Sequence, residues 1–287
     1  MEFNDKMDIK TARCSGMCNG VKRALRILED ALLELDGEKL YVYNDIVHNT
    51  FVINELKQKN VAIVKNVDDI PDGAAVVFSA HGVSRSVEDE CRRRKLRIFD
   101  ASCLLVKKNH RIVEDAAHDG KTVVFIGSGE HPECIGTVGR IGAGKCFIVN
   151  STDEVEKLPE SDERIVVVAQ TTLSADDVTE IRKCLEDKYL NCEYAGGICY
   201  ATSDRQNAVK ELAKECDLIL VAGSEKSSNS RKLVQIAGEK GCMAVLVDSI
   251  EELKDFDFGP FHKVGITAGA STPDIQIRRL IDFIRTK

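Results

Sequence analysis

The chain has 287 residues, of which 43% are hydrophobic and 30% charged, enough for a well-buried core in one large domain or in two to three small ones. The 40 basic and 47 acidic residues leave a net charge of −7, and there is no tryptophan and only 5% aromatics, so neither a basic footprint nor base-stacking platforms point to nucleic acid. No apolar run approaches the roughly 18 residues of a membrane span, and residues 1–6 lack both an apolar signal core and an Arg/Ser-rich transit pattern. A soluble, cytoplasmic protein is expected.

Short apolar runs alternate with amphipathic stretches along the chain. Val21, Leu25, Leu28, Leu32 and Leu35 recur at helical spacing. Strands are expected at 40–43, 61–64, 76–79, 122–126, 146–149, 165–169, 218–222, 244–247 and 263–267. This alternation implies parallel sheets with crossover helices, an α/β fold. Polar motifs cluster after the strands in three successive segments. That pattern predicts three small α/β domains, 17–102, 103–197 and 198–287 together with 1–16, each presenting its strand ends to one site.

The count of eleven cysteines is odd, and without a secretion signal the thiols should be reduced. Cys18, Cys103 and Cys199 stand apart because each begins an expected helix, where unpaired N–H groups and the macrodipole favour thiolate. One lies near each segment boundary. Three such thiolates suit a cubane iron–sulfur cluster with one iron left open, although spacing alone favours three buried cysteines. Cys14 and Cys18 lack the second pair that a zinc site needs. Cys134 is a possible fourth ligand, and the other six cysteines read as core or surface thiols.

His48, His81 and His131 each follow a short apolar run, unlike His110, His118 and His262, which read as ordinary structural histidines. With Thr171, Thr172, Ser227, Ser228, Asn229 and Ser271 they form a donor-rich set suited to a phosphate or diphosphate. Glu133, beside His131, is the acid best placed to deliver a proton. Neither Gly127-Ser128-Gly129 nor Gly142-Ala143-Gly144-Lys145 has the order of a nucleotide-binding loop, so no bound nucleotide is expected.

In order and nearly end to end, these motifs resemble the LytB family of 4-hydroxy-3-methylbut-2-enyl diphosphate reductases. The matching strings are 16–21 (Gly-Met-Cys-Asn-Gly-Val), 46–49 (Ile-Val-His-Asn), 79–84 (Ser-Ala-His-Gly-Val-Ser), 100–103 (Asp-Ala-Ser-Cys) and 131–133 (His-Pro-Glu). Further matches are 170–174 (Gln-Thr-Thr-Leu-Ser), 198–202 (Ile-Cys-Tyr-Ala-Thr), 227–230 (Ser-Ser-Asn-Ser) and 265–271 (Gly-Ile-Thr-Ala-Gly-Ala-Ser). Two positions depart from the usual pattern. Cys14-Ser15-Gly16-Met17 replaces the common Pro-Arg-Gly-Phe before the first cysteine, and Leu104 replaces a proline after the second.

The resemblance implies a trefoil of three α/β domains around a 4Fe-4S cluster held by Cys18, Cys103 and Cys199, with one open iron. It implies diphosphate binding by His48, His81, His131, Ser227, Asn229 and Ser271, with Ser228 close by. Thr171 would meet the substrate hydroxyl and Glu133 would relay protons. The implied reaction is reductive dehydroxylation of (E)-4-hydroxy-3-methylbut-2-enyl diphosphate to isopentenyl and dimethylallyl diphosphate, driven by an external low-potential donor of the ferredoxin or flavodoxin type. A cluster-dependent hydro-lyase and a non-enzymatic cluster or phosphate sensor remain the alternatives.

Overall fold

The computed structural model describes residues 7–142 and 144–287; the N-terminal hexapeptide and Ala143 of the Gly-Ala-Gly-Lys string lie outside the described residues. The chain begins with β1 (Asp8–Thr11), α1 (Asn19–Glu34), β2 (Leu40–Tyr43), α2 (Thr50–Lys57), β3 (Val61–Val64), β4 (Ala75–Phe78), α3 (Arg85–Arg93) and β5 (Arg97–Asp100). It continues through α4 (Leu104–His118), β6 (Thr122–Ile126), α5 (Pro132–Val138), β7 (Cys146–Val149), α6 (Thr152–Glu156), β8 (Ile165–Ala169), α7 (Ala175–Lys188) and β9 (Cys192–Gly196). The last elements are α8 (Tyr200–Leu212), β10 (Leu218–Ala222), α9 (Ser228–Glu239), β11 (Met243–Val247), β12 (Lys263–Ala268) and α10 (Asp274–Ile284).

Among the described residues the strands form three four-stranded, all-parallel sheets, ordered β3-β2-β4-β5, β7-β6-β8-β9 and β1-β12-β10-β11. The expected α/β class is thus present. The three sheets share one topology, except that the third takes its edge strand, β1, from the start of the chain. Edge strands β5, β9 and β1 therefore correspond, as do their neighbours β4, β8 and β12, and the next strands in, β2, β6 and β10.

Helices cover both faces of these sheets, so the central strands are apolar throughout rather than alternating. β4, β6, β8 and β10 are buried at every position. Along β10, Leu218 and Leu220 pack with Leu280 and Ile284 on one face, while Ile219 and Val221 pack with Val209 and Leu233 on the other. Likewise Val124 and Ile126 of β6 meet Ile181 and Leu185, whereas Val123 and Phe125 meet Val113. Fully burying side chains of this size contributes about 1.5–3 kcal/mol each.

The nine expected strands are all present, three of them with ends moved by one residue. The strands without an expected range, β1, β5 and β9, are all sheet edges. The described residues form two compact units. One contains the described part of Met1–Asn19 with His48–Asn54 and Tyr200–Lys287; the other contains Gly20–Val47 and Glu55–Cys199.

Candidate functional site

The three cysteines that begin helices share one backbone setting. Each lies in the stretch from a sheet-edge strand to the next helix, immediately before α1, α4 or α8. In each case the cysteine N–H donates to a carbonyl just beyond the neighbouring strand: Cys18 to Ala270 at 3.0 Å, Cys103 to Ala80 at 2.9 Å and Cys199 to Thr171 at 3.0 Å. Those acceptors occupy the same place in all three sheets, two residues past the ends of β12, β4 and β8. Cys14 makes no such bond among the described residues. This repeated anchor separates Cys18 from its neighbour on structural grounds.

All eleven cysteines are thiols, and the helix-starting three are partly exposed. Burial instead raises Cys91, Cys146 and Cys216 to about 11. Cys134 is fully buried on α5 and pushed up to about 12, again mainly by burial. Its thiol is a core side chain, poorly suited to be a fourth ligand. Soft, partly exposed thiols at helix starts are the donor type that iron–sulfur clusters take. Among the described residues no three His, Cys, Asp or Glu side chains close around a single ion. A cluster places its cysteines on separate irons and does not require such a group.

In the unit spanning Gly20–Val47 and Glu55–Cys199, the loops after β4, β6 and β8 carry a polar set. Glu133 is 1% exposed. Its Oε1 accepts the Thr171 N–H and its Oε2 accepts the Thr171 hydroxyl, both at 2.8 Å. Burial raises the Glu133 carboxyl to about 7, and the two Thr171 hydrogen bonds pull the other way. An acid poised near neutrality can both give and take a proton.

His131 caps α5. Its Nδ1 accepts the Glu133 N–H at 3.1 Å, so in the neutral ring the proton sits on Nε2. The His81 and His131 rings stand edge to face, 5.8 Å apart. Close backbone approach allows this: a Cβ on Gly136 of α5 would lie 3.3 Å from the Gly82 backbone. Gly82 itself has φ +75°, and a Cβ there would meet His110 at 2.6 Å. His110 is thus the buried structural histidine that was expected, held neutral with its basicity lowered to about 4, chiefly by burial.

In the other unit the strand ends of β10 and β12 are covered by the start of α9. Ser227 caps that helix by accepting the Ser230 N–H at 3.2 Å. Asn229 is 3% exposed, and neither polar atom of its side chain has a hydrogen-bond partner among the described residues. The buried Ser230 and Thr267 hydroxyls are in the same state. A Cβ on Gly223 or Gly269 would clash with the Ser230 hydroxyl, so these glycines let α9 approach the sheet. Ser271 donates to the His48 carbonyl at 2.8 Å, and the Asn49 amide donates to Gln276 at 2.9 Å. Ser228 is the first residue of α9. Buried polar groups without partners are costly, and at a helix N-terminus they suit an incoming anion.

Sequence reasoning gave no role to Gln170. It is 1% exposed, accepts the Ser128 N–H through Oε1 at 3.2 Å, and donates to the Thr172 hydroxyl at 2.8 Å. It ties the loop after β6 to the loop after β8 and so supports Glu133 and Thr171. Its only signal was its place before Thr171 in a strand-end string.

The family model described as LytB protein matches residues 9–285. The chain is 42% identical to a 4-hydroxy-3-methylbut-2-enyl diphosphate reductase of Actinobacillus pleuropneumoniae serotype 3, over 98% of this chain and 90% of that one. It is also 42% identical to the protein of the same name from Polaromonas sp., over 97% of this chain and 84% of that one. Among solved structures, it is similar to the E-1-hydroxy-2-methyl-but-2-enyl-4-diphosphate reductase of Plasmodium falciparum. That similarity has a TM-score of 0.91 at 32% identity and covers 96% of this chain and 87% of the other.

Proposed function

The chain belongs to the LytB protein family, and on that premise we propose that Cys18, Cys103 and Cys199 hold a 4Fe-4S cluster with one iron open to substrate. The activity is the reduction of 4-hydroxy-3-methylbut-2-enyl diphosphate to isopentenyl and dimethylallyl diphosphate, the terminal step of the non-mevalonate route. The observation that carries the ligand assignment is the hydrogen bond repeated at the three cysteine N–H groups. The three segments 17–102, 103–197 and 198–287 with 1–16 are read as the lobes of a trefoil, each carrying one parallel sheet.

Bound in this way, the cluster supplies electrons and a Lewis-acidic site. The protein's part is to bind the anion and manage protons. His48, His81, His131, Ser227, Ser228, Asn229 and Ser271 take the diphosphate, a reading supported by the unpartnered Asn229 amide at the start of α9. Thr171 contacts the substrate hydroxyl, and Glu133 lies directly behind it. Protonation of the departing oxygen lets it leave as water rather than hydroxide. Two electrons and two protons enter for each water released. When Glu133 carries its proton, the Glu133–Thr171 bond can reverse, leaving the threonine hydroxyl free to donate outward.

Among the described residues no helix is long and apolar enough to cross a membrane. A cytoplasmic setting and a soluble low-potential donor of ferredoxin or flavodoxin type complete the proposal. The test is anaerobic turnover of the allylic diphosphate. Turnover that requires a reduced donor supports the reductase, and turnover without one would mark a hydro-lyase. No turnover by cluster-loaded protein would leave a sensor.

A further inference from the structure

Three helices begin directly after the proposed ligands, and each sends a side chain back to main chain near another ligand. From α8, which follows Cys199, the Arg205 Nε donates to the Gly16 carbonyl at 3.1 Å. One terminal nitrogen of Arg205 reaches the same oxygen, and the other bonds the Ala201 carbonyl at 2.6 Å. Gly16 lies two residues before Cys18. From α1, which follows Cys18, Arg23 Nη1 donates to the Ser102 carbonyl at 3.0 Å, one residue before Cys103. From α4, which follows Cys103, the Asn109 amide donates to the Ala169 carbonyl at 3.3 Å, where β8 ends beside β9, the strand that leads to Cys199. Helix to loop, the three contacts run in one cyclic order.

Arg205 is the most demanding of them. It is 4% exposed and makes no ion pair among the described residues; all its hydrogen bonds go to carbonyls. Burying a guanidinium without a carboxylate is expensive, and core packing alone would be better served by an apolar side chain. Its planar fork does what a lysine cannot, gripping one carbonyl with two N–H groups while tying a second. Gly16, with φ +75°, has its carbonyl fixed by this grip, and Cys18 two residues on has its N–H fixed by Ala270.

We propose that Arg205, with Arg23 as its counterpart, is a positioning residue for the iron–sulfur cluster, fixing the backbone that presents a ligand cysteine from the helix that starts at another. This rests on the cluster assignment made above.

The test uses full-length Arg205→Met, Arg205→Lys and Arg23→Met, each reconstituted anaerobically with iron and sulfide. Leu233→Ala, which thins the core of the Arg205-containing unit without touching Gly16, sets the level expected from destabilisation alone. In ligand-free Arg205→Met, amide exchange across residues 16–18 should be at least tenfold faster than in the wild type. A chelator should strip its iron at least tenfold faster, with an altered cluster absorption spectrum. Arg205→Lys, which keeps the charge and loses the fork, should fall between, and Arg23→Met should speed exchange around Cys103 instead. Exchange and iron release that match the wild type, or merely track Leu233→Ala, overturn the proposal. If Arg205→Met does not fold, Arg205→Lys is judged by the same two measurements. A wild-type chain that binds no cluster would sink the functional reading, while amide exchange would still decide whether Arg205 holds the Cys18 loop.

Discussion

Two polar regions of this protein, both built on strand ends, are in opposite states. The Glu133–Thr171 pair is closed on itself, with both carboxylate oxygens bonded to one threonine. Around the start of α9, Asn229, Ser230 and Thr267 keep buried polar atoms with no partner among the described residues. The first arrangement is preorganised by the protein, which suits the proton-transferring role proposed for Glu133. The second stores unmet hydrogen-bonding capacity that an anion can satisfy. In the proposed reading the first region manages protons and the second holds anion, with His131 of the anion set bonded next to Glu133.

The sharpest way to break this picture is to remove the proposed cluster ligands. Cys18→Ser, Cys103→Ser or Cys199→Ser should abolish turnover and most iron binding, because serine oxygen is a poor ligand for a cluster. Cys14→Ser and Cys134→Ser should keep a substantial brown chromophore. Iron analysis and visible absorption decide between these outcomes, and bleaching by Cys14→Ser with an intact Cys18→Ser would reverse the ligand assignment.

Next in size is the proton donor. Glu133→Gln should retain cluster and substrate binding yet lose turnover by about two to four decades, the range of general-acid catalysis. Near-normal rates would move the proton to the substrate's diphosphate or to water. The variant also has a pH signature. The folded-state pKa of Glu133 is raised to about 7, so the stability it contributes is full below the ordinary carboxyl range and is lost as pH rises through 7. Urea unfolding from pH 5 to 8 should therefore show the wild type losing ground to Glu133→Gln. Equal slopes would mean the carboxyl is not held protonated.

The contrast between satisfied and unsatisfied groups predicts opposite signs for two apolar replacements. Asn229→Leu should weaken diphosphate binding by about one to two decades, corresponding to roughly 1.5–3 kcal/mol, while raising the unfolding midpoint of the ligand-free chain. Thr171→Val should lower that midpoint, because it strips a bond from the buried Glu133. Calorimetry and denaturant titration measure both, and two shifts of the same sign would erase the distinction. The smallest effect concerns the turn at Gly82, read as a shift in the urea-unfolding midpoint. Gly82→Ala should cost about 1–3 kcal/mol, because it places a Cβ at positive φ against His110.

The central strands were legible because a strand covered on both faces is written as an unbroken apolar run, as in Ile165–Ala169. The edge strands that precede the cysteines were not: Asp8–Thr11 and Arg97–Asp100 are four residues each, partly exposed and polar at their ends, with no period to read. Those same edges lead to the cysteines, so sequence could point to the helix starts but not to the backbone anchor that unites them. From spacing alone, three buried thiols was the simpler reading, and the resemblance of the flanking strings tipped it toward ligands. The state of Asn229 was hidden for another reason. Whether a polar side chain is partnered depends on which glycines let a helix approach a sheet, and nothing local to Asn229 records that.

β1 pairs in parallel with β12, Asp8 opposite Lys263 and Thr11 opposite Ile266. As the chain leaves the ribosome, the sheets of β2–β5 and β6–β9 can assemble soon after they are made. β1, the earliest of the twelve strands, must wait for the last. Non-local pairing of this kind is slow to form and loses the most chain entropy. Until it forms, the anchor of Cys18 at Ala270 does not exist either. In the proposed reading, loading of iron and sulfur is thereby tied to completion of β12, and a chain truncated before it would lack the anchored Cys18 as third ligand.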